Sequence, residues 1–321
     1  MRWNIISNIT NAVGLQRDYE FLRDLLQSWG HEVNGIQFDN PVTAGPADRN
    51  LWLEVVNPRL FPLAREQWFF PNPEWLYDAW IPNLNQFSRR WVPDLLLRRW
   101  ILHSLSRRFR YALCKTRDCR KIFQALMPPD KVVFTGFMAR DLWEPATSKT
   151  RSFLHVAGKS KAKNTEAIIQ AWKEWNIPWQ LAIVSTVYSG PPIPNVTFYD
   201  RLSDAELRVM MNTNLFHLCP SMYEGYGHTS HEGMGCGAIV ITVDRRPMNE
   251  FGCPPNLYVR PNSIRDFNLA TLHVVPASEI HEAVKRAVAL TEKECTNLSA
   301  QARAVFLKEN ERFVQRFKEL I

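Results

Sequence analysis

The hydrophobic pattern opens as an alternating sheet and helix. Residues 3–7 and 33–38 are short apolar runs. Between them Tyr19, Leu22, Leu25, Leu26 and Trp29 recur at helical spacing, closed by Gly30. A strand, a polar loop with Gly14, a helix and a second strand are the usual start of a parallel α/β sheet. Further strands are predicted at 51–56, 68–70, 110–115 and 131–135, with a helix at 118–126. Residues 142–151 carry Pro, Thr, Ser and Lys without a period and read as a linker. A second series follows, with strands at 153–157, 180–187, 196–199, 215–219 and 238–243 and helices at 165–175, 204–212, 228–234 and 277–290. The last helix, 297–321, sets Ala302, Val305, Phe306, Phe313 and Phe317 on one face. The expected fold is α/β: a Rossmann-like domain at 1–148, a second at 149–296 and a terminal helix at 297–321. In doubly wound sheets ligands sit beyond the carboxyl ends of the strands. The candidate loops are those around Gly14, 71–75, 158–164 and 224–231.

Composition narrows the class. Of 321 residues, 45% are hydrophobic and 22% charged, the balance of an ordinary globular chain and too apolar for disorder. The six cysteines form no C-x-x-C pair and read as reduced thiols of a cytoplasmic protein. No signal peptide is visible at the start, and no stretch approaches the ~18 apolar residues of a membrane span. The net charge of +7 favours an anionic partner: a phosphate-bearing ligand, an acidic membrane surface or nucleic acid.

Three stretches carry candidate chemistry. In residues 220–237, Glu224 and Glu232 bracket a loop with Gly225, Tyr226, Gly227 and His228, and a short helix follows. Glycines let a ligand approach the backbone, helix-start amides can hold a diphosphate, and carboxylates can accept hydrogen bonds from vicinal sugar hydroxyls. Taken alone, the same residues also fit an ordinary strand–turn–helix with surface acids. Residues 158–164, GKSKAKN, lie between a strand and a helix and project Lys159, Lys161 and Lys163. That suits a diphosphate, or is a solvated lysine loop. It is not a Walker A loop, because Phe153 stands where the first glycine is needed. Residues 246–250, RPMNE, follow the next strand and bring Glu250 to the same end of the sheet.

The order Gly-Lys-x3-Lys-Asn, Glu-Gly-Tyr-Gly-x4-Glu, Gly-Cys-Gly-Ala-Ile-Val and Pro-Met-Asn-Glu resembles the donor domain of retaining GT-B glycosyltransferases of the group-1, family-4-like type. The likeness is good over about 150–255 and is one of topology over 1–150. It implies two Rossmann-like domains facing a cleft, with the terminal helix crossing back onto the first. It implies transfer of a hexose, with retention, from a nucleoside diphosphate sugar to a hydroxyl of a saccharide or lipid-linked saccharide. The leaving phosphate would assist deprotonation of the acceptor. Lys159 and Lys163 correspond to the family's diphosphate-binding pair. Glu224 corresponds to the acid near the transferred sugar, Gly225–His228 to the glycine-rich loop and Glu232 to the ribose acid. Gly158, Tyr199 and Glu250 complete the expected donor set. Asn11 and Gly14 fall in the acceptor-side loop. Asn72 and Glu74 stand where the family often offers a histidine, and are the catalytic candidates of the first domain. Glu74 reads equally as a helix-start acid.

The chain departs from the pattern at Lys159, where an arginine is usual and the bidentate fork is lost. Gly233, Gly235 and Gly237 stand where the family's helix is alanine-rich, so that helix should be short and closely packed. The chain has no D-x-D motif, which points to a metal-independent enzyme without a cofactor. His217, Cys219, His228, His231 and Cys236 lie close in sequence but fit no standard zinc spacing.

Residues 88–115 interleave Arg98, Arg99, Arg107 and Arg108 with Trp91, Trp100 and aliphatic side chains. Such a segment suits peripheral contact with an anionic membrane at its inner face, or is a domain helix with solvated charges. Two rival readings remain: a catalytically silent sugar-nucleotide-binding or membrane-scaffold protein on the same fold, and a polyanion binder built around 88–115.

Overall fold

The computed structural model describes residues 1–10, 14–42, 44–76, 94–252, 254 and 257–321, with backbone alone at 94, 95, 97 and 98. Asn11 and Cys253 therefore lie outside the described residues, as does the side chain of Arg98. Two compact units are present. One comprises Met1–Gly136 with Phe267–Ala270, the other Phe137–Asp266 with Thr271–Ile321.

The first unit is built on β1 (Arg2–Ser7), β2 (Glu32–Gln37), β3 (Ala47–Leu53), β4 (Ala64–Phe70), β5 (Tyr111–Cys114) and β6 (Val132–Phe134). They form one sheet of order β2-β1-β3-β4-β5-β6, with every neighbouring pair parallel. The described helices are α1 (Gly14–Ser28), α2 (Asp94–Arg108) and α3 (Arg117–Gln124). Helix α3 starts where Thr116 accepts from the Cys119 amide, an N-cap that satisfies a first-turn donor. Ile6, Trp52, Phe69, Ile101, Leu105, Phe109 and Phe123 belong to one core cluster. Two buried side-chain amides of this sheet, Asn50 and Gln67, are joined by a hydrogen bond. Asn50 donates to the Leu60 carbonyl and to Gln67 Oε1, which also accepts from the Trp52 indole.

The basic stretch 88–115 is not one amphipathic element. Helix α2 ends at Arg108, and Arg110 and Lys115 flank β5. Lys115 is buried and paired with Asp18 of α1. Ile101, Ser104 and Leu105 turn inward, while Leu96, Trp100, Arg99, Arg107 and Arg108 are exposed.

The second unit has β7 (Thr150–Gly158), β8 (Leu181–Ser185), β9 (Val196–Tyr199), β10 (Asn214–Cys219) and β11 (Ile239–Thr242) in the parallel order β11-β10-β7-β8-β9. Its helices are α4 (Thr165–Trp175), α5 (Asp204–Thr213), α6 (His228–Gly235), α7 (Ala277–Val288) and α8 (Glu292–Leu320). The strands β12 (Ser263–Phe267) and β13 (Ala270–Val274) form a separate pair. The predicted linker 142–151 is packed structure in this unit. The Asn212 side chain accepts from the Glu144 amide and donates to the Leu142 carbonyl, and β7 begins at Thr150. Helix α8 starts earlier than its apolar face suggested, because Thr291 and Glu294 form a capping box.

The glycines of α6 set its depth. A Cβ at Gly233 would come 2.5 Å from His217 Nδ1 on β10, and one at Gly235 would come 3.1 Å from the Phe306 ring of α8. Gly237 has φ of 66°, and a Cβ there would lie 2.9 Å from Ser299 Oγ. Further along α8, Phe313 packs on Phe137 at 4.9 Å, and Arg303 binds both carboxylate oxygens of Asp141. Gly233→Ala gains up to about 1 kcal/mol of helix propensity. It forces overpacking against a fully buried ring, which costs about 1–3 kcal/mol. A lower Tm than wild type in a thermal melt is the expected result.

Candidate functional site

The lysine loop of the second unit begins at a backbone irregularity. The register of β7 on β8 shifts between Val156 and Gly158, and Gly158 takes φ of 55°. Its carbonyl accepts from the Thr186 amide at 3.0 Å, which fixes the turn against the end of β8. Lys161–Lys163 form one 3-10 turn, and Asn164, at φ of 60°, donates its side-chain amide to the Val275 carbonyl at 2.9 Å. The Met222 amide donates to the Ala162 carbonyl at 2.9 Å, joining this loop to residues 220–227. Lys163 and Glu224 are ion-paired and half-buried. Lys159 and Lys161 are exposed and have no ion pair among the described residues. Three of the expected donor residues, Gly158, Lys163 and Glu224, are thus brought to the carboxyl ends of β7 and β10.

The loop after Glu224 is shaped by aromatic packing. Tyr226 stacks on His231 at 4.1 Å and donates its hydroxyl to the Phe137 carbonyl at 3.0 Å. Gly227 has φ of 81°, and a Cβ there would come 2.6 Å from the Phe251 ring, so both backbone and space require glycine. As the N-cap of α6 it brings no side chain to the helix start. The first turn of α6 therefore receives no hydrogen bond from an N-cap side chain, which favours an anion at a helix start.

Glu232 is buried on α6, and its Oε1 accepts from Arg140 Nε at 2.7 Å. Arg140 also reaches Asp204 at 3.2 Å, and its Nη2 is buried with no partner among the described residues. Sequence reasoning missed Arg140, which lies outside every motif. Glu250 ends a 3-10 turn after β11 and is half-buried. Tyr199 is not gathered with these groups. It lines a separate cavity of about 640 Å³ with Thr150, Ala182, Val209 and Met210.

In the first unit, Asn72 follows β4 and Glu74 sits in the 3-10 turn Pro73–Trp75. Asn72 Nδ2 donates to Glu54, a residue sequence reasoning did not select. Asn268 donates to the Glu74 carbonyl at 2.6 Å. Gly14 opens α1. The loop before it is tied by Gln37, which accepts from the Ile9 amide and donates to Asn8.

Among the described residues no group of three or more His, Cys, Asp or Glu could hold a metal ion. Three of the five residues weighed for zinc are engaged in packing. His217 lies under Gly233, His231 lies on Tyr226, and burial pushes the Cys236 thiol up to about 12.

No protein-family model matches the chain, and no curated protein matches it in sequence. Solved structures do match in fold. Sucrose-phosphate synthase from Thermosynechococcus elongatus superposes with a TM-score of 0.72 at 14% identity, over 100% of this chain and 98% of that one. HepE from Anabaena, solved with UDP-glucose, gives 0.67 at 12% identity over 99% and 100%. WaaG, a glycosyltransferase involved in lipopolysaccharide biosynthesis, gives 0.66 at 12% identity over 100% and 99%. The chain has the GT-B fold of these proteins, two Rossmann-like α/β units with parallel sheets.

Three histidines of the second unit, His155, His217 and His231, are buried, which favours their neutral form. His155 bridges the Leu218 carbonyl at 2.7 Å and Thr165 Oγ1 at 2.9 Å. Burial lowers His155 and His231 to about 4 and His217 to about 3. In the unfolded chain each takes a proton below about 6.5. The unfolded state then binds more protons than the folded one, and stability falls as pH drops. Each histidine contributes roughly 1.4 kcal/mol per pH unit between about 6.5 and its folded value. Urea unfolding at pH 7, 5.5 and 4.5 should show that decline. His155→Gln, which keeps a donor and an acceptor, should remove one histidine's share of the slope.

Proposed function

We propose that the chain is a retaining, metal-independent glycosyltransferase. It moves a hexose from a nucleoside diphosphate sugar to a hydroxyl of a saccharide or lipid-linked saccharide. The observation that carries this reading is the Lys163–Glu224 pair beside the uncapped start of α6. A cation, a carboxylate and helix-start amides converge where an open α/β sheet binds its ligand. The diphosphate is assigned to Lys159, Lys163 and the amides at Gly227 and His228. As the anomeric C–O bond breaks, negative charge grows on the leaving phosphate, and fixed positive groups lower that barrier. The acceptor oxygen attacks from the same face, and its proton passes to the leaving phosphate. Glu224 is assigned to hydroxyls of the transferred hexose and Glu232, oriented by Arg140, to the ribose. Metal independence rests on the missing D-x-D motif and on the lysines that supply charge in its place.

The test pairs binding with turnover. UDP or GDP at about 100 times its Kd should stabilise the protein by about 2.7 kcal/mol. Glu232→Gln removes a charge-assisted hydrogen bond worth about 1.5–3 kcal/mol and should raise the nucleotide Kd. Glu224→Gln should lower kcat more than it weakens the bare nucleotide. Transfer should survive EDTA. Saturable nucleotide binding with no transfer to any acceptor would identify the silent binder instead.

We also propose that the first unit contacts an anionic membrane surface through α2. Arg99, Arg107 and Arg108 are exposed there beside Leu96 and Trp100, and no helix among the described residues is long and apolar enough to cross a membrane. Trp100 and Arg108 border a cavity of about 510 Å³ with Phe61 and Arg65. Flotation with phosphatidylglycerol vesicles should fall as salt rises. An Arg107→Glu/Arg108→Glu variant should lose it. Equal flotation with neutral vesicles counts against the assignment.

A further inference from the structure

The carboxyl ends of four adjacent strands in the first sheet carry polar groups that the donor motif does not explain. Ser7 ends β1, Glu54 follows β3, Asn72 follows β4 and Lys115 follows β5. The strand order reverses between β1 and β3, and in open parallel sheets the crevice at such a reversal is where ligands bind.

Glu54 has φ of 63°, a left-handed conformation that disfavours any residue with a Cβ. Glycine or asparagine would meet the backbone requirement more easily, so a carboxylate there points to use of the side chain. Its amide donates to the Phe70 carbonyl at 2.9 Å, which sets Glu54 against the end of β4. Its carboxylate accepts from Asn72 Nδ2. A carboxylate can only accept, so the amide of Asn72 must face it with its nitrogen, and Asn72 Oδ1 is turned elsewhere. That oxygen is buried and has no partner among the described residues. Ser7 Oγ, at the end of β1, is likewise buried without one.

We propose that Glu54 is a positioning residue that holds Asn72 so that its Oδ1 accepts a hydrogen bond from a saccharide hydroxyl at this crevice. A buried acceptor lacking a donor is costly, and a ligand that supplies one relieves that cost. The local charges select the ligand class. Burial pushes the Glu54 carboxyl up, while Asn72 and Lys115 hold it down and Asp18 opposes them. Lys115 is already neutralised by Asp18. Two acids, Asp18 and Glu54, thus act on the one ammonium of Lys115, which leaves these groups with no net positive charge to hold a phosphate and suits a neutral polyol. The choice of a saccharide over another hydroxyl ligand rests on the transferase reading above.

The informative variant is Glu54→Gly. Glycine adopts φ of 63° without strain, so this variant should keep or raise Tm while releasing the Asn72 amide. The probe is a panel of immobilised oligosaccharides, read with wild type, Glu54→Gly and Asn72→Ala. A nucleotide melt with UDP and GDP runs on the same samples. Wild type should bind at least one oligosaccharide, and both variants should bind it roughly tenfold more weakly. The nucleotide-induced Tm shift should be the same in all three. A Glu54→Gly protein that melts well below wild type assigns Glu54 to structure and overturns the proposal. No oligosaccharide binding by wild type, or equal binding by both variants, overturns it as well, even where UDP or GDP stabilises the protein. Oligosaccharide binding that depends on Glu54, with no response to either nucleotide, supports the crevice and overturns the transferase reading instead.

Discussion

Helix α6 can lie where it does only because three positions on or just after it carry no side chain. Its Gly233 face meets His217 on β10, and its Gly235 face meets Phe306 on α8. That close approach gives the candidate donor site its rigidity. It sets the depth at which Glu232 is buried and hence where Arg140 must come to pair with it. It also sets where the chain enters the helix at Gly227, under the Phe251 ring. The loop carrying Glu224 runs between the end of β10 and that entry, so its two ends are held by packing rather than by its own sequence. A packed interior has few alternative arrangements, which suits a site whose geometry has to exist before a ligand arrives.

Three cations set back from the surface are held in pairs: Lys163 with Glu224, Arg140 with Glu232, Lys115 with Asp18. Each pair limits the cost of holding an ion away from water. On the proposed reading the first pair does more. An incoming diphosphate competes for Lys163, and in displacing Glu224 it leaves a carboxylate able to accept from sugar hydroxyls. The exposed Lys159 and Lys161 have no such partner among the described residues and can meet the anion first. An arginine in place of Lys159 would add a bidentate fork. A lysine there contributes charge with less directional demand.

The parallel strands and the loops at their ends were legible because both depend on local pattern. Apolar runs bounded by Gly and Pro placed β7 to β11, and the glycines around Glu232 pointed to a short, tightly packed helix, which α6 is. What escaped was set by contacts distant in sequence or by single backbone angles. Arg140 pairs with Glu232 from a stretch with no motif. Glu54 extends the expected strand 51–56 in pattern, but its left-handed angle ends β3 at Leu53. The strands β12 and β13 were missed because β12 is almost wholly exposed and carries no alternation to read. The basic run 88–115 looked continuous because composition does not register a turn. The chain stops being helical at Arg108, and Lys115 goes inside to meet Asp18. Tyr199 was placed with the donor set by the family resemblance, and in the structure it lines the cavity beside α5.

The two sheets are both parallel but differ in strand order and in the chemistry at their strand ends. In the second, β7 is followed by lysines and β10 by a glycine-rich entry to a helix. Cations and a helix start without an N-cap side chain gather there, which on the proposed reading suits an anion. In the first, the same positions carry Ser7, Glu54, Asn72 and Lys115, with Lys115 neutralised from α1. What remains is a carboxylate and two buried oxygens, Ser7 Oγ and Asn72 Oδ1, without partners among the described residues. An anion is disfavoured there, and a neutral molecule with hydroxyl donors is favoured. Neither preference follows from the fold, which many unrelated activities share. Both follow from which side chains the strand ends carry. On the proposed reading, the first sheet's preference belongs to a hydroxyl-bearing acceptor and the second sheet's to a diphosphate-bearing donor.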